Sequence, residues 1–153
     1  MYQHKILFLR LLILNLVLKK YDCNKKLIIA NISDGETFSI QNGKKFVKLH
    51  KIRKKYNYVF TTGGIGPTHD DITANSISKA FNVNYEVHDE AFKILENYYT
   101  KGKFNEGRQQ MSWMPSGARL ILNPTSGAPG FIIENVYCLP GVPSILQSML
   151  GGL

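Results

Sequence analysis

The chain's 153 residues and 17.3 kDa are enough for a single hydrophobic core of ordinary size. With 44% hydrophobic and 20% charged residues it is neither disordered nor fibrous. A net charge of +8 raises a nucleic-acid or membrane partner, but the excess is local: residues 1–60 hold 13 Lys/Arg against 3 Asp/Glu, and residues 61–153 hold 6 against 8.

The chain opens on a basic, proline-free region. Ile6–Leu18 has 11 apolar residues in 13. It is short of the roughly 20 a bilayer span needs, Arg10 interrupts it, and no small-residue cleavage site follows. A buried strand or helix is the expectation, and no membrane is expected as partner. Leu27–Ile32 reads as a short strand, Asp34-Gly35 as a turn and Phe46–Ile52 as helical, with Lys44, Lys45, Lys48 and Lys51 on a wet face. Cys23 and Cys138 are too few for a disulfide-stapled scaffold or a four-thiolate zinc site, and as free thiols they point to a reducing, cytoplasmic compartment. No pair of histidines has zinc-helix spacing.

From Arg53 the signals sharpen. Tyr58–Thr61 predicts a strand cut short by Gly63, Gly64 and Gly66, and a helix follows from Thr73, with Ile72, Ile77, Ala80 and Phe81 as its apolar stripe and Asp70 or Asp71 as a cap. A strand, a glycine loop and a helix in series belong to a layered α/β fold. Val83–Val87 reads as a strand or extended link and Asp89–Tyr99 as a helix. Phe104–Trp113 reads as another helix, capped by Asn105 and ended by Pro115-Ser116-Gly117. Ala118–Leu122 predicts a strand, Asn123–Gly130 a loop, and Phe131–Ile133 with Val136–Leu139 a hairpin turning at Glu134-Asn135. Pro140-Gly141-Val142-Pro143 then leads into a last helix, Ser144–Leu150.

Three loops invite chemistry. In Thr61–Thr73, TTGGIGPTHDDIT, glycines expose backbone N–H groups beside a helix start, an arrangement suited to phosphate. It is not a P-loop, because no Lys-Ser/Thr pair follows the last glycine. Nor is it a dinucleotide fingerprint, because His69 stands where that motif needs glycine. A plain tight turn competes with the phosphate reading. Adjacent carboxylates on Asp70 and Asp71 would repel a phosphate unless a divalent cation such as Mg²⁺ bridged them; the alternative is helix capping. The second loop is Pro124–Gly130, where Ser126 and Gly127 can bond a ligand or merely connect elements. The third is Leu139–Pro143, again strand to loop to helix, which can border a ligand or merely start a helix at Pro143. Three such junctions would converge at the carboxyl edge of a parallel sheet, where ligands bind. Trp113, Tyr56, Tyr58, Tyr98 and Tyr99 show no regular interleaving with lysines, so no nucleic acid is expected as partner.

The strings YVFTTGGIGPTHDDITANSISKAF, NPTSGAPGF and LPGVPSILQSML, in that order, closely resemble the molybdopterin-binding domain shared by MoaB/Mog proteins and the competence-damage-inducible protein A family, a domain also attached to FAD synthetases. The resemblance covers about residues 53–150, and divides the chain into a divergent front, 1–52, and the domain, 53–153. It implies a three-layer αβα fold with a mostly parallel sheet. It implies a cleft formed by Thr62, Gly63, Gly64, Gly66 and Thr68, by Ser126 and Gly127, and by Pro140, Gly141 and Pro143. Asp71 falls at the functionally critical aspartate, with Asp70 and Asp71 as Mg²⁺ ligands. The implied ligand is molybdopterin or an adenylylated, phosphate-bearing small molecule, and the implied assembly a homo-oligomer. TGGIGPTHDD is more similar to the competence-damage and FAD-synthetase branch, which implies a metal-dependent pyrophosphatase acting on ADP-ribose-like or FAD-like dinucleotides. The family's opening Gly-Asp/Asn-Glu segment is not visible in residues 1–52. That implies a divergent front, or a disturbed reading frame with the first strand and one cleft wall missing, and a third reading, a non-catalytic remnant or interaction module.

Overall fold

The computed structural model describes residues 27–31, 49 and 52–151. The apolar run Ile6–Leu18, the Asp34-Gly35 turn, Cys23 and most of the lysine-bearing stretch before Arg53 lie outside them. Within Phe46–Ile52, Leu49 and Ile52 are helical, and the helical backbone continues through residues 52–55.

Besides that helical stretch, the described residues form seven strands and four helices in chain order. They are β1 (Leu27–Asn31), β2 (Tyr58–Thr62), α1 (Thr73–Phe81), β3 (Tyr85–Val87), α2 (Asp89–Tyr98), α3 (Glu106–Gln110), β4 (Trp113–Pro115), β5 (Arg119–Ile121), β6 (Gly130–Ile133), β7 (Val136–Leu139) and α4 (Pro143–Leu150). The main sheet has the order β1-β2-β7-β6-β5, while β3 and β4 pair separately. β1 lies parallel to β2, from Leu27 opposite Tyr58 to Asn31 opposite Thr62, so the sheet does not end at β2 as a missing first strand would have it.

The sheet is mixed rather than mostly parallel. β1, β2 and β7 are mutually parallel neighbours, whereas β6 is antiparallel to both β7 and β5. Only two residues, Glu134 and Asn135, separate β6 from β7, and a connection that short permits only an antiparallel return. Glu134 takes a positive φ of 49°, in keeping with a tight hairpin turn.

Alternation along the strands divides the core in two. Val59, Phe131, Ile133, Val136 and Cys138 face one side, where they meet Ala74, Ile77 and Ala80 of α1. Phe60, Ile121, Ile132 and Leu139 face the other, against Leu146, Met149 and Leu150 of α4. Helices on both faces explain why β2 and β7 are almost wholly buried and read as continuous apolar runs. The small β3–β4 sheet sends Tyr85 and Met114 into the α1-side core.

Local chemistry sets the element ends. Asn82 closes α1 in the left-handed conformation, φ 56° and ψ 45°. His88 caps α2: its Nδ1 accepts from the Ala91 N–H at 3.4 Å while Nε2 lies 3.2 Å from the Ala118 carbonyl, a pairing that suits the neutral Nε2–H tautomer. Asn105 caps α3 through Oδ1, which accepts from the Arg108 N–H at 3.1 Å. That helix is shorter than the Phe104–Trp113 expected: it stops at Gln110, and Trp113 enters β4 opposite Val87. Strand pairing there overrides an apolar spacing that suits a helix. Ile72, expected on the α1 stripe, precedes the helix as its N-cap and is 39% exposed. Among the described residues no helix is long and apolar enough to cross a membrane.

Candidate functional site

The glycine loop leaves β2 through two consecutive left-handed residues, Gly63 (φ 88°) and Gly64 (φ 69°). Such a pair reverses the chain within one residue of the strand, a conformation glycine adopts without steric cost. Thr73, fully buried at the first turn of α1, holds the bend: its hydroxyl donates to the Gly63 carbonyl and its N–H to the Gly64 carbonyl, both at 2.9 Å. The Gly63 N–H is spent on the Leu139 carbonyl at 2.8 Å. No acceptor among the described residues takes the N–H of Gly64, Ile65 or Gly66.

Neither aspartate caps α1, whose N-cap Ile72 has no side-chain bond. The Asp71 carboxylate instead folds back on its own loop. Its Oδ2 accepts from the Thr68 N–H at 2.9 Å and the Thr68 hydroxyl at 2.6 Å. Gly66 lets the carboxylate lie against the backbone; a Cβ there would stand 2.7 Å from Oδ2. Asp70 turns outward to His69 Nε2 at 3.1 Å, with both side chains almost fully exposed.

The sheet's mixed topology explains why the other two loops reach the same place. β7 is parallel to β2 with Leu139 opposite Thr62, so the Pro140-Gly141 turn emerges beside the glycine loop. A Cβ on Gly141 would lie 3.4 Å from the Gly63 Cα. β6 runs the opposite way and begins at this edge, so the loop joining β5 to β6 arrives there too. Asn123 organises that loop from a buried position. Its Oδ1 accepts from the N–H groups of Thr125 and Ser126, both at 3.0 Å, and its Nδ2 donates to Ser126 Oγ at 2.6 Å and the Ala128 carbonyl at 2.8 Å.

Between the three loops lies a cleft of about 320 Å³. Of the residues singled out from the sequence, Gly64, Gly66, Asp71, Ser126, Pro140 and Gly141 line it. Thr62 is buried at the end of β2, Gly63 is committed to Leu139, and Thr68 serves Asp71. Gly127 (φ 71°) packs beneath the Tyr98 ring, Pro143 starts α4, and Asp70 faces solvent. None of these six is on the cleft wall. Sequence reasoning passed over Tyr99, Met111 and Ile145, which form the apolar side together with Val142 of the expected Pro140–Pro143 turn, and Asn123, which shapes the loop. Only Asn123 had a local signal, since an asparagine two and three residues before amides it can bond is a turn former.

The donor set bears on a metal. Among the described residues no group of three or more His, Cys, Asp and Glu side chains comes together. What the cleft presents is one carboxylate, Asp71, so it fits a hard cation only where a ligand's own oxygens complete the shell. The Cys138 thiol takes no part: it lies fully buried in β7, and burial pushes it up to about 12, against a smaller opposing effect of its hydrogen bond with Thr61. Burial also raises Tyr85, again offset in part by a side-chain hydrogen bond, here with Gln110.

Comparison with known proteins agrees with this architecture. Residues 43–153 match the family model described as "probable molybdopterin binding domain". A protein of Archaeoglobus fulgidus is 36% identical over 101 residues, 66% of this chain and 43% of its own length. A protein of Pyrococcus abyssi is 34% identical over 119 residues, 69% of this chain and 47% of its own. A "putative competence-damage inducible protein" of Clostridium botulinum is 34% identical over 110 residues, 66% of this chain and 27% of its own. The crystal structure of the protein CinA, of unknown function, from Thermoplasma acidophilum superposes with a TM-score of 0.65 at 27% identity, over 70% of this chain and 66% of that one. The chain thus spans less than half the length of these sequence relatives.

Proposed function

The chain belongs to the family of the probable molybdopterin binding domain, and from that premise we propose that its cleft binds a phosphate-bearing pterin or an adenylylated ligand. One observation carries the reading. The N–H groups of Gly64, Ile65 and Gly66 have no acceptor among the described residues, and all three residues line the cleft that Asp71 also walls. Amides left open at the entrance to a helix are suited to phosphate oxygens. Ser126 Oγ already accepts from Asn123, which leaves its O–H to donate into the cleft. Tyr99, Met111, Val142 and Ile145 offer the apolar side a planar ring would occupy.

In this reading Asp71 is the carboxylate, among the described residues, that would hold a Mg²⁺ ion, with the ligand's phosphates as its further partners. The ion would offset phosphate charge beside that carboxylate. Thr68 holds the carboxylate ready by donating twice to Oδ2. Asp70 stands outside this site because it faces His69. The loop TGGIGPTHDD, together with the Clostridium botulinum relative, favours hydrolysis of a dinucleotide pyrophosphate as the second reading.

Calorimetry with a pterin phosphate, ADP-ribose and FAD, each with and without Mg²⁺, tests both. Binding of at least one is expected, weakened about tenfold or more in Asp71→Asn, a loss of about 1.4 kcal/mol or more. AMP release that needs the metal and vanishes in Asp71→Asn identifies the pyrophosphatase reading. Silence for all three ligands defeats the proposal.

A further inference from the structure

Beside Asp71 lies a second and much smaller recess of about 10 Å³, open to solvent past the exposed Gln110 and Trp113. Asp71, Gly66, Ile65 and Met111 border both spaces, so the carboxylate forms part of the partition between them. Tyr85 from β3 and Gln110 at the end of α3 both line the recess. Its other walls are mostly apolar: Ala74, Met114, Trp113 and Phe131.

The volume admits the centre of one water molecule and nothing larger. A water held in such a place needs two to four polar partners. A carboxylate, a phenol and a carboxamide line this recess, and they supply three. The need on the protein side is equally specific. Both bonds from Thr68 reach the same oxygen, Oδ2, so they pin one point of the carboxylate and leave it free to swing about that point. A third anchor would hold the side chain in a single rotamer.

We propose that the recess holds a single ordered water bonded to Asp71, Tyr85 and Gln110, and that Tyr85 and Gln110 are positioning residues that set the Asp71 carboxylate toward the cleft. The bridge ties the loop before α1 to β3 and α3, elements far from it in sequence. Tyr85 has a ring contact with Trp113 at 5.5 Å between centroids, which keeps its hydroxyl on station. The consequence for ligand affinity rests on the reading of the cleft given above; the consequence for the carboxylate does not.

The test therefore reads the carboxylate directly, in the free protein by NMR. Three-bond couplings from the backbone nitrogen and carbonyl carbon to Asp71 Cγ report its χ1 angle, and water-to-amide cross-relaxation at the Gln110 side chain reports the water. Wild type is expected to show one χ1 rotamer and a long-lived water signal. In Tyr85→Phe and in Gln110→Leu the water signal is lost and the couplings average, while the spectra stay those of a folded protein. Tyr85→Phe removes one oxygen and keeps the packing; should it fail to fold, Gln110→Leu, on an exposed face, reads the same quantities. Unchanged Asp71 couplings in the folded variants, or no water signal in wild type, overturn the proposal. For ADP-ribose with Mg²⁺, affinity is expected to fall about tenfold in each variant. If wild type binds none of the ligands while the couplings behave as stated, the cleft reading fails and the water relay stands.

Discussion

At Gly64 the loop's conformation and its packing can be separated. The residue has φ +69°, and a Cβ there would collide with the Thr73 hydroxyl. Gly64→Ala thus meets two penalties, about 1–2 kcal/mol for the left-handed backbone and a steric one from Thr73. Thr73→Ala removes the hydroxyl and its bond to the Gly63 carbonyl, at a cost of about 1 kcal/mol. In the double variant the clash with the hydroxyl is gone, while the backbone penalty, the lost hydrogen bond and a 3.3 Å contact with the Cβ of residue 73 remain. Urea denaturation of the four proteins should give a double variant more stable than the sum of the single losses predicts. Strict additivity would mean that the Thr73 hydroxyl does not limit residue 64. That this loop would matter was legible from TTGGIGPTHDDIT. That its threonines serve as internal braces was not, because Thr68 and Thr73 act through a fold-back that residue spacing does not reveal.

Among the elements, the loop between β5 and β6 depends on one side chain. Asn123 is buried, and its four bonds span Thr125, Ser126 and Ala128. Asn123→Ala leaves those groups without their partner and should cost about 2–3 kcal/mol. The same change should weaken ligand binding more than Ser126→Ala does, since it releases the whole loop and not one hydroxyl. Thermal melts and calorimetry on the two variants check this, and equal affinities would show that the loop keeps its shape by other means. The elements themselves were largely readable. β2, β7, α1, α2 and α4 carry their period and punctuation in the sequence, and Pro143 marks the start of the last helix. Phe104–Trp113 misled because its apolar residues suit a helix, while the end of that stretch is claimed by β3 as a strand partner, a contact from outside the window.

Over the whole molecule, the convergence of three loops was legible although the sheet direction was not. The antiparallel β6 delivers the Ser126 loop to the edge where β2 and β7 end, so a mixed sheet achieves what a parallel one was expected to do. The same centrality makes global stability sensitive to alkali. β7 lies in the middle of the five strands, and its Cys138 is fully buried with the thiol pushed up to about 12 from an ordinary 9.0. Tyr85, raised above its ordinary value, acts in the same direction. Below pH 9 the thiol is protonated in both folded and unfolded chains and contributes no pH dependence. Above pH 9 the unfolded chain sheds the Cys138 proton while the folded one keeps it, so unfolding releases a proton and stability falls as pH rises. Between pH 9 and about 12 Cys138 contributes up to about 1.4 kcal/mol per pH unit. Cys138→Ala removes the dependence at the cost of a small cavity, so the variant should be less stable at pH 7 and lose less between pH 9 and pH 11. Urea midpoints across that range decide the matter: parallel declines for wild type and variant would show that the buried thiol is not what alkali attacks, because a group absent from one protein cannot drive a loss common to both.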